Sequence, residues 1–341
     1  MTASTRTGGT LVFLGDLHCG DQTGAELTVR GAPPPGYVVA NLEAPLTRTG
    51  ERAERKICLR ADPARVTLLT RLGVRAVSLA NNHILDYGEA GARDTLRALD
   101  AAGIAHFGCG TPGNAYGNPL IVPLGSHAVG LLSYAHPSCH PLAQAGALGI
   151  ALYDPARVRA DVARARAQGA RTVVACVHWG HEDCPVPGAA QVEVAREVRA
   201  LGADYVIGHH GHIVQPRSDR TFFGLGNLHM PELNEPVLVG GQVDHVFRKV
   251  HMGWNTRSVV PSLTLPGGAL SVHHSRVQGA TLTFRAGHLL NLPPWALGPL
   301  ARTEPLVRRL YYLRRVAALF RQRPRLPSRA HWALLLGRGR P

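Results

Sequence analysis

Five short clusters of acids, amides and imidazoles are spread along the chain: Asp16-Leu17-His18, Asn41-Leu42-Glu43, Asn81-Asn82-His83, His178-Trp179-Gly180 and Gly208-His209-His210-Gly211-His212. Gathered in one interior, each unpaired charge among them would cost several kcal/mol. A metal centre resolves that cost. Carboxylate oxygens and imidazole nitrogens suit Mn, Fe or Zn, and a carboxylate can bridge two ions. The spacing of His210 and His212 presents alternate side chains, so two neighbouring ions could each take one.

The elements that must position these residues follow from the apolar runs before them. Buried strands are expected at 11–14, 37–40, 76–79, 104–107, 171–177 and 205–207, with helices at 63–72, 88–102, 155–168 and 191–201. The segments 120–122 and 128–133 flank Gly125-Ser126 as a hairpin. This alternation argues for an α/β layered domain. Such folds place ligands at the C-terminal ends of their strands, where the five clusters fall. After Gly208 short runs at 221–225, 237–239 and 280–284 suggest a second sheet with long loops. Whether residues 228–279 close as a lid is left open.

A chain of 341 residues can bury one large core or two modest ones, and 45% hydrophobic against 18% charged residues excludes a disordered chain. The net charge of +14 is uneven: from Ala301 onward there are eleven arginines and one acid, Glu304. We therefore divide the chain into a body at 8–298 and a basic tail at 299–341. Leu306, Leu310, Leu313, Ala317 and Phe320 give the tail one apolar face. The favoured reading packs that face on the body. The other lays it on an anionic membrane surface, an acidic polymer or polymer-synthesis proteins. No nucleic-acid partner is expected, because no recognition motif or aromatic–basic stripe is present. The only lysines are Lys56 and Lys249.

The six cysteines form no CxxC pair and fit reduced thiols of a cytosol. Residues 1–9 lack the apolar run of a secretory signal, and no stretch reaches the roughly 18 apolar residues of a membrane span. The expected location is cytoplasmic, with a peripheral membrane association open to the tail.

The order D-x-H, E, N-H, H, H-x-H resembles the calcineurin-like metallophosphoesterases. The surrounding words resemble the CapA (poly-gamma-glutamate capsule biosynthesis) family more closely: Val39-Ala40-Asn41-Leu42-Glu43-Ala44-Pro45-Leu46, Leu79-Ala80-Asn81-Asn82-His83 running into Leu85-Asp86-Tyr87-Gly88, His178-Trp179-Gly180 with Glu182, Gly208-His209-His210-Gly211-His212, and Gly224-Leu225-Gly226-Asn227. The resemblance covers roughly residues 10 to 230. It implies a four-layer α/β-β/α sandwich of the metallophosphoesterase type, followed by the basic helical tail. It also implies a hydrolase with two divalent ions (Mn, Fe or Zn). Asp16, His18 and His212 would hold one ion, Asn82, His178 and His210 the other, and Glu43 would bridge them. His83 would act as general acid or oxyanion partner, and a bridging water would be the nucleophile. The substrate would be an anionic small molecule or polymer carrying a phosphoester or amide, tied to poly-gamma-glutamate or capsule synthesis.

Other positions carry weaker expectations. Arg60 and Glu182 could contact substrate or simply form solvated salt bridges. Asn81 reads better as a helix cap than as a ligand, His209 as support behind the ligands, and Asn227 as a member of the same supporting layer. Cys19 and Cys184 read as small buried residues rather than nucleophiles. Two other functions compete with the hydrolase: a non-hydrolytic accessory protein of a polymer synthesis or export complex, and a tailoring enzyme of small-molecule biosynthesis.

Overall fold

The computed structural model describes residues 9–20 and 27–322, with 318–322 described by backbone alone. Phe320 and the tail beyond 322 therefore lie outside the described side chains.

Strand Thr10–Leu17 shows how the sequence builds the layers. Its run is apolar on both faces because both faces are covered. Leu11 and Phe13 enter one core, with Val39, Val174 and Ile207. Val12 and Leu14 enter another, with Leu68, Leu69, Ala92 and Leu99. The latter residues belong to the helices α1 (Val66–Arg71) and α2 (Gly88–Ala101). A third core joins Val173, Ala175 and Val177 to Val158, Val162, Val194 and Val198. Those come from α3 (Pro155–Ala167) and α4 (Ala189–Ala200). Helices, sheet, sheet and helices are thus stacked in four layers, the expected α/β-β/α sandwich. Asp154 starts α3 by accepting the Arg157 N–H at 2.9 Å, with Pro155 in the first turn.

In the first sheet Ala105–Phe107, Val74–Ser78, Tyr37–Leu42 and Thr10–Leu17 run parallel, followed by antiparallel Arg257–Thr264, Ala269–Gln278 and Thr281–Gly287. The second sheet centres on His127–Ala135, Thr172–His178 and Tyr205–His209, all parallel. The long antiparallel strands at 257–278 replace the loops expected there. Residues 233–249 likewise form a separate two-stranded hairpin, Leu233–Val239 with Gln242–Lys249. All six cysteines are buried and free. Among the described residues no helix is long and apolar enough to cross a membrane.

Two further helices follow, α5 (Pro294–Arg302) and α6 (Glu304–Gln322). The structure differs here from the favoured reading of the tail. Leu306, Leu310 and Leu313 are 64%, 51% and 44% exposed. The helix instead meets the body through Arg315, which reaches Asp183 and the Arg248 carbonyl, and through Tyr311, whose ring meets Trp254 edge-on.

One glycine is dictated by the site. A Cβ on Gly15 would lie 2.1 Å from the Gly226 carbonyl oxygen. That carbonyl accepts the Asp16 N–H at 2.9 Å. Gly15→Ala must push apart the two segments that carry Asp16 and Asn227. We expect a loss of about 2–4 kcal/mol in denaturant unfolding, in the range of overpacking and strain effects. A change within about 0.5 kcal/mol would show that the approach is not required.

Candidate metal centre

The parallel strands end at one edge, and the polar clusters emerge there. Asp16 stands beside Asn41 in register, and His178 beside His209. Asp16 is fully buried. Its Oδ1 accepts from Asn41 Nδ2 at 3.0 Å and lies 2.8 Å from His209 Nδ1, while Oδ2 accepts the His210 N–H at 3.1 Å. Burial works to raise the Asp16 carboxyl, but His209, His212 and Asn41 outweigh it and hold it below the usual range.

The same Asn41 Nδ2 also donates to Glu43 Oε2 at 2.5 Å. Glu43 Oε1 lies 3.5 Å from His178 Nε2 and 3.7 Å from His212 Nε2. Burial, reinforced by the charge of Asp16, pushes the Glu43 carboxyl well above its ordinary range. His178 Nε2 is 2.8 Å from Asn82 Oδ1, and His212 Nδ1 is 2.8 Å from Asn227 Oδ1. His18 turns its Nδ1 to its own loop, where it accepts the Gly20 N–H at 2.9 Å.

His210 and His212 do not follow the alternation of an extended chain. Tyr205–His209 ends one residue earlier, and the two histidines have φ of +85° and +54°. Such left-handed backbone is strained for a non-glycine residue and persists where the surroundings enforce it. The turn sets the two rings 6.0 Å apart and places His210 4.8 Å from the His178 ring.

Ligand atoms converge in two groups. One atom each from Glu43, His178 and His210 lie within 4.8 Å of one another, and so do atoms from Glu182, His210 and His212. The groups share His210. Glu43 Oε1, His178 Nδ1 and His210 Nδ1 are buried with no hydrogen-bond partner among the described residues. Unsatisfied buried atoms are costly, about 1–3 kcal/mol each. Divalent cations fit this donor set. Burial depresses all three rings: His178 well below its usual range, His210 to about 3, and His212 downward as well. The imidazoles are therefore neutral, the form that binds metal.

Glu182, a candidate substrate contact in the sequence, thus sits among the candidate ligands. Its Oε2 accepts from Lys249 Nζ at 2.6 Å. Burial raises the Glu182 carboxyl, but Lys249, His212 and His210 outweigh it and bring it well below its ordinary value. Arg60 is exposed and lies over the Tyr87 ring at 4.9 Å. Asn81 caps the turn before His83, accepting the N–H of His83 at 3.0 Å and of Ile84 at 2.9 Å. Burial pushes the Cys19 and Cys184 thiols up to about 12 and about 11, so neither is a thiolate nucleophile at neutral pH.

His83 Nδ1 lies 2.7 Å from Asp86 Oδ2, which also accepts the Leu59 N–H at 2.7 Å. Lys56 pairs with the other Asp86 oxygen and donates to the Asn82 carbonyl. This arrangement fixes the His83 ring and leaves Nε2 as the nitrogen available to a cleft. His83, Glu182, His212 and Lys249 form the polar wall of that cleft, and Ile57, Leu59, Met230, Leu233 and Phe247 the apolar one. Sequence reasoning assigned no role to Asn41, Asp86, Lys56 or Lys249. Asn41 and Asp86 lie in words already singled out. The lysines carried a signal of another kind, as the chain's only two.

A model of the bacterial capsule synthesis protein PGA_cap family matches residues 10–231. The chain belongs to that family. Among curated relatives, the capsule biosynthesis protein CapA of Bacillus anthracis is 26% identical over 245 residues, 64% of this chain and 59% of that protein. The PGA biosynthesis protein CapA of Bacillus subtilis is 27% identical over 235 residues, 63% of this chain and 62% of that one. The chain therefore spans about three fifths of the length of these relatives. A solved calcineurin-like phosphoesterase from Bacillus subtilis aligns over 89% of this chain and 99% of its own, at 15% identity and a TM-score of 0.44. The matched family region, 10–231, contains every residue of the two ligand groups, whereas Lys249 lies beyond it.

Burial of His210 has a consequence for stability against pH. With His210 near 3 in the fold and 6.5 unfolded, the folded protein binds fewer protons between those values. The contribution is fully present above 6.5 and lost as pH falls toward 3, at about 1.4 kcal/mol per unit. Glu43, shifted upward, works in the opposite sense and is common to both proteins compared. In chelator, denaturant unfolding between pH 6.5 and 4.5 should be steeper for the wild type than for His210→Asn. Equal slopes would show that His210 titrates normally.

Proposed function

We propose that the chain is a metal-dependent hydrolase acting on a phosphoester or amide of an anionic small molecule or polymer, in capsule or poly-gamma-glutamate metabolism. The observation that carries this reading is the pair of ligand groups joined at His210, opening on a cleft lined by His83 and Lys249. Glu43, His178 and His210 would hold one divalent ion, and Glu182 and His212 would converge beside it on a second. Asp16, Asn82 and Asn227 are hydrogen-bonded to these rings or lie against them and complete the polar surround. When bound, such ions polarise the scissile oxygen and acidify a coordinated water.

The protein's own groups supply the rest. Asn41 holds the Asp16 and Glu43 carboxylates together. Asp86 orients His83 so that Nε2 can give a proton to the leaving group. Lys249 is buried beside Glu182 and matches an anionic substrate group. The apolar wall excludes water from the other side.

The test is a metal count and turnover assay on the purified chain. We expect about two divalent ions per chain and Mn-stimulated hydrolysis of a generic phosphodiester, monoester or γ-glutamyl amide. Lys249→Ala should raise KM about tenfold or more, with a smaller change in kcat. Bound metal without turnover on any of these would favour a non-hydrolytic accessory role. Absence of metal in the purified and Mn-soaked protein would overturn the reading.

A further inference from the structure

Helix α6 is amphipathic in the inverted sense. At 3.6 residues per turn, Leu306, Leu310, Leu313 and Ala317 fall on one stripe, and all four are exposed. Arg308, Tyr311 and Arg315 lie on the opposite side. Arg315 contacts Asp183 and the Arg248 carbonyl and stands 5.1 Å over the Phe247 ring, and Tyr311 meets Trp254. The polar face is thus tied to the body and the apolar face is turned outward. Exposed Arg309 and Arg314 border the stripe on its two sides. Trp295, in the preceding helix, is 79% exposed.

We infer that α6 is a docking helix for an anionic lipid surface, a role that does not depend on the catalytic reading. An in-plane helix needs an apolar stripe at the acyl boundary with cations at its margins to meet the headgroups, and that is the order of residues here. Charge argues against a second copy as the occupant. Each chain brings eleven arginines and one acid from Ala301 onward, so two such faces repel. Nucleic acid fits poorly, because leucines rather than cations occupy the centre of the stripe. Asp183 and Arg248, which Arg315 touches, are the immediate neighbours of Glu182 and Lys249. The docked helix would therefore hold the cleft at a fixed height above the surface.

The experiment is co-sedimentation of the full, metal-loaded chain with vesicles of phosphatidylcholine alone or with one-third phosphatidylglycerol. We expect partitioning at least about tenfold stronger onto the anionic vesicles, weakened by salt. Leu310→Gln/Leu313→Gln should lower it about tenfold, with unchanged circular dichroism and metal content. Leu306→Gln, on the same exposed stripe, is the second variant. No preference for anionic vesicles, or binding unaffected by either leucine variant, would overturn the inference. So would a dimer in ultracentrifugation that Leu310→Gln disperses, since the occupant would then be a second copy.

Discussion

Removing the His210 ring should sharply lower the metal content of the protein. Among the described residues it alone belongs to both ligand groups, so its loss leaves two side chains in each. Metal content should fall from about two ions per chain to less than one. Turnover should fall at least about a thousandfold, roughly 4 kcal/mol of transition-state stabilisation. The choice of replacement matters, because His210 sits at a φ of +85°. Alanine there keeps the left-handed strain, whereas glycine relieves it. Comparing His210→Ala with His210→Gly therefore separates a folding defect from a binding defect. Both should lose metal, and only the alanine variant should lose extra stability. His209→Ala, which removes a partner of Asp16 rather than a ligand, should cost about 10–100-fold in affinity. Retention of two ions by His210→Gly would refute a ligand role for His210.

The second large effect belongs to His83. It lies outside both ligand groups and lines the cleft, so His83→Ala should keep its ions. It should lose about 10²–10⁴ in kcat, the usual contribution of a positioned proton donor. A substrate with an acidic leaving group needs less proton donation, so the deficit should shrink on it. An undiminished deficit on such a substrate would reassign His83 from proton donor to binding or structural support. Asp86→Asn should act in the same direction, more weakly, by loosening the ring that Asp86 now fixes at 2.7 Å.

The parallel core was legible because strands covered on both faces announce themselves as continuous apolar runs, as in Thr10–Leu17 and Thr172–His178. The gathering of the polar clusters was legible for the same reason: clusters placed directly after such runs must meet at one edge, although Glu182 joins the ligand groups there and His18 turns to its own loop. Legibility failed where geometry departs from the regular element. The His210–His212 spacing reads as an extended chain, and only the left-handed turn puts both rings against Glu182. Ala269–Gln278 carries His273, His274, Ser275 and Arg276 and shows no apolar run, because its pairing comes from strands on either side. In α6 the pattern shows that two faces differ, but not which is inward. That is decided by Asp183 and Trp254, more than 50 residues away in sequence.

The two lysines have a practical consequence. Lys56 pairs with Asp86, the carboxylate that holds His83, and Lys249 pairs with Glu182, so each of the two lysines of the 341-residue chain is held by an acid of the candidate site or its support. A protease that cuts only after lysine has two targets in the molecule, and both border the site. The fragment pattern it releases is a readout of how often those two ion pairs open, with no label attached and no residue exchanged.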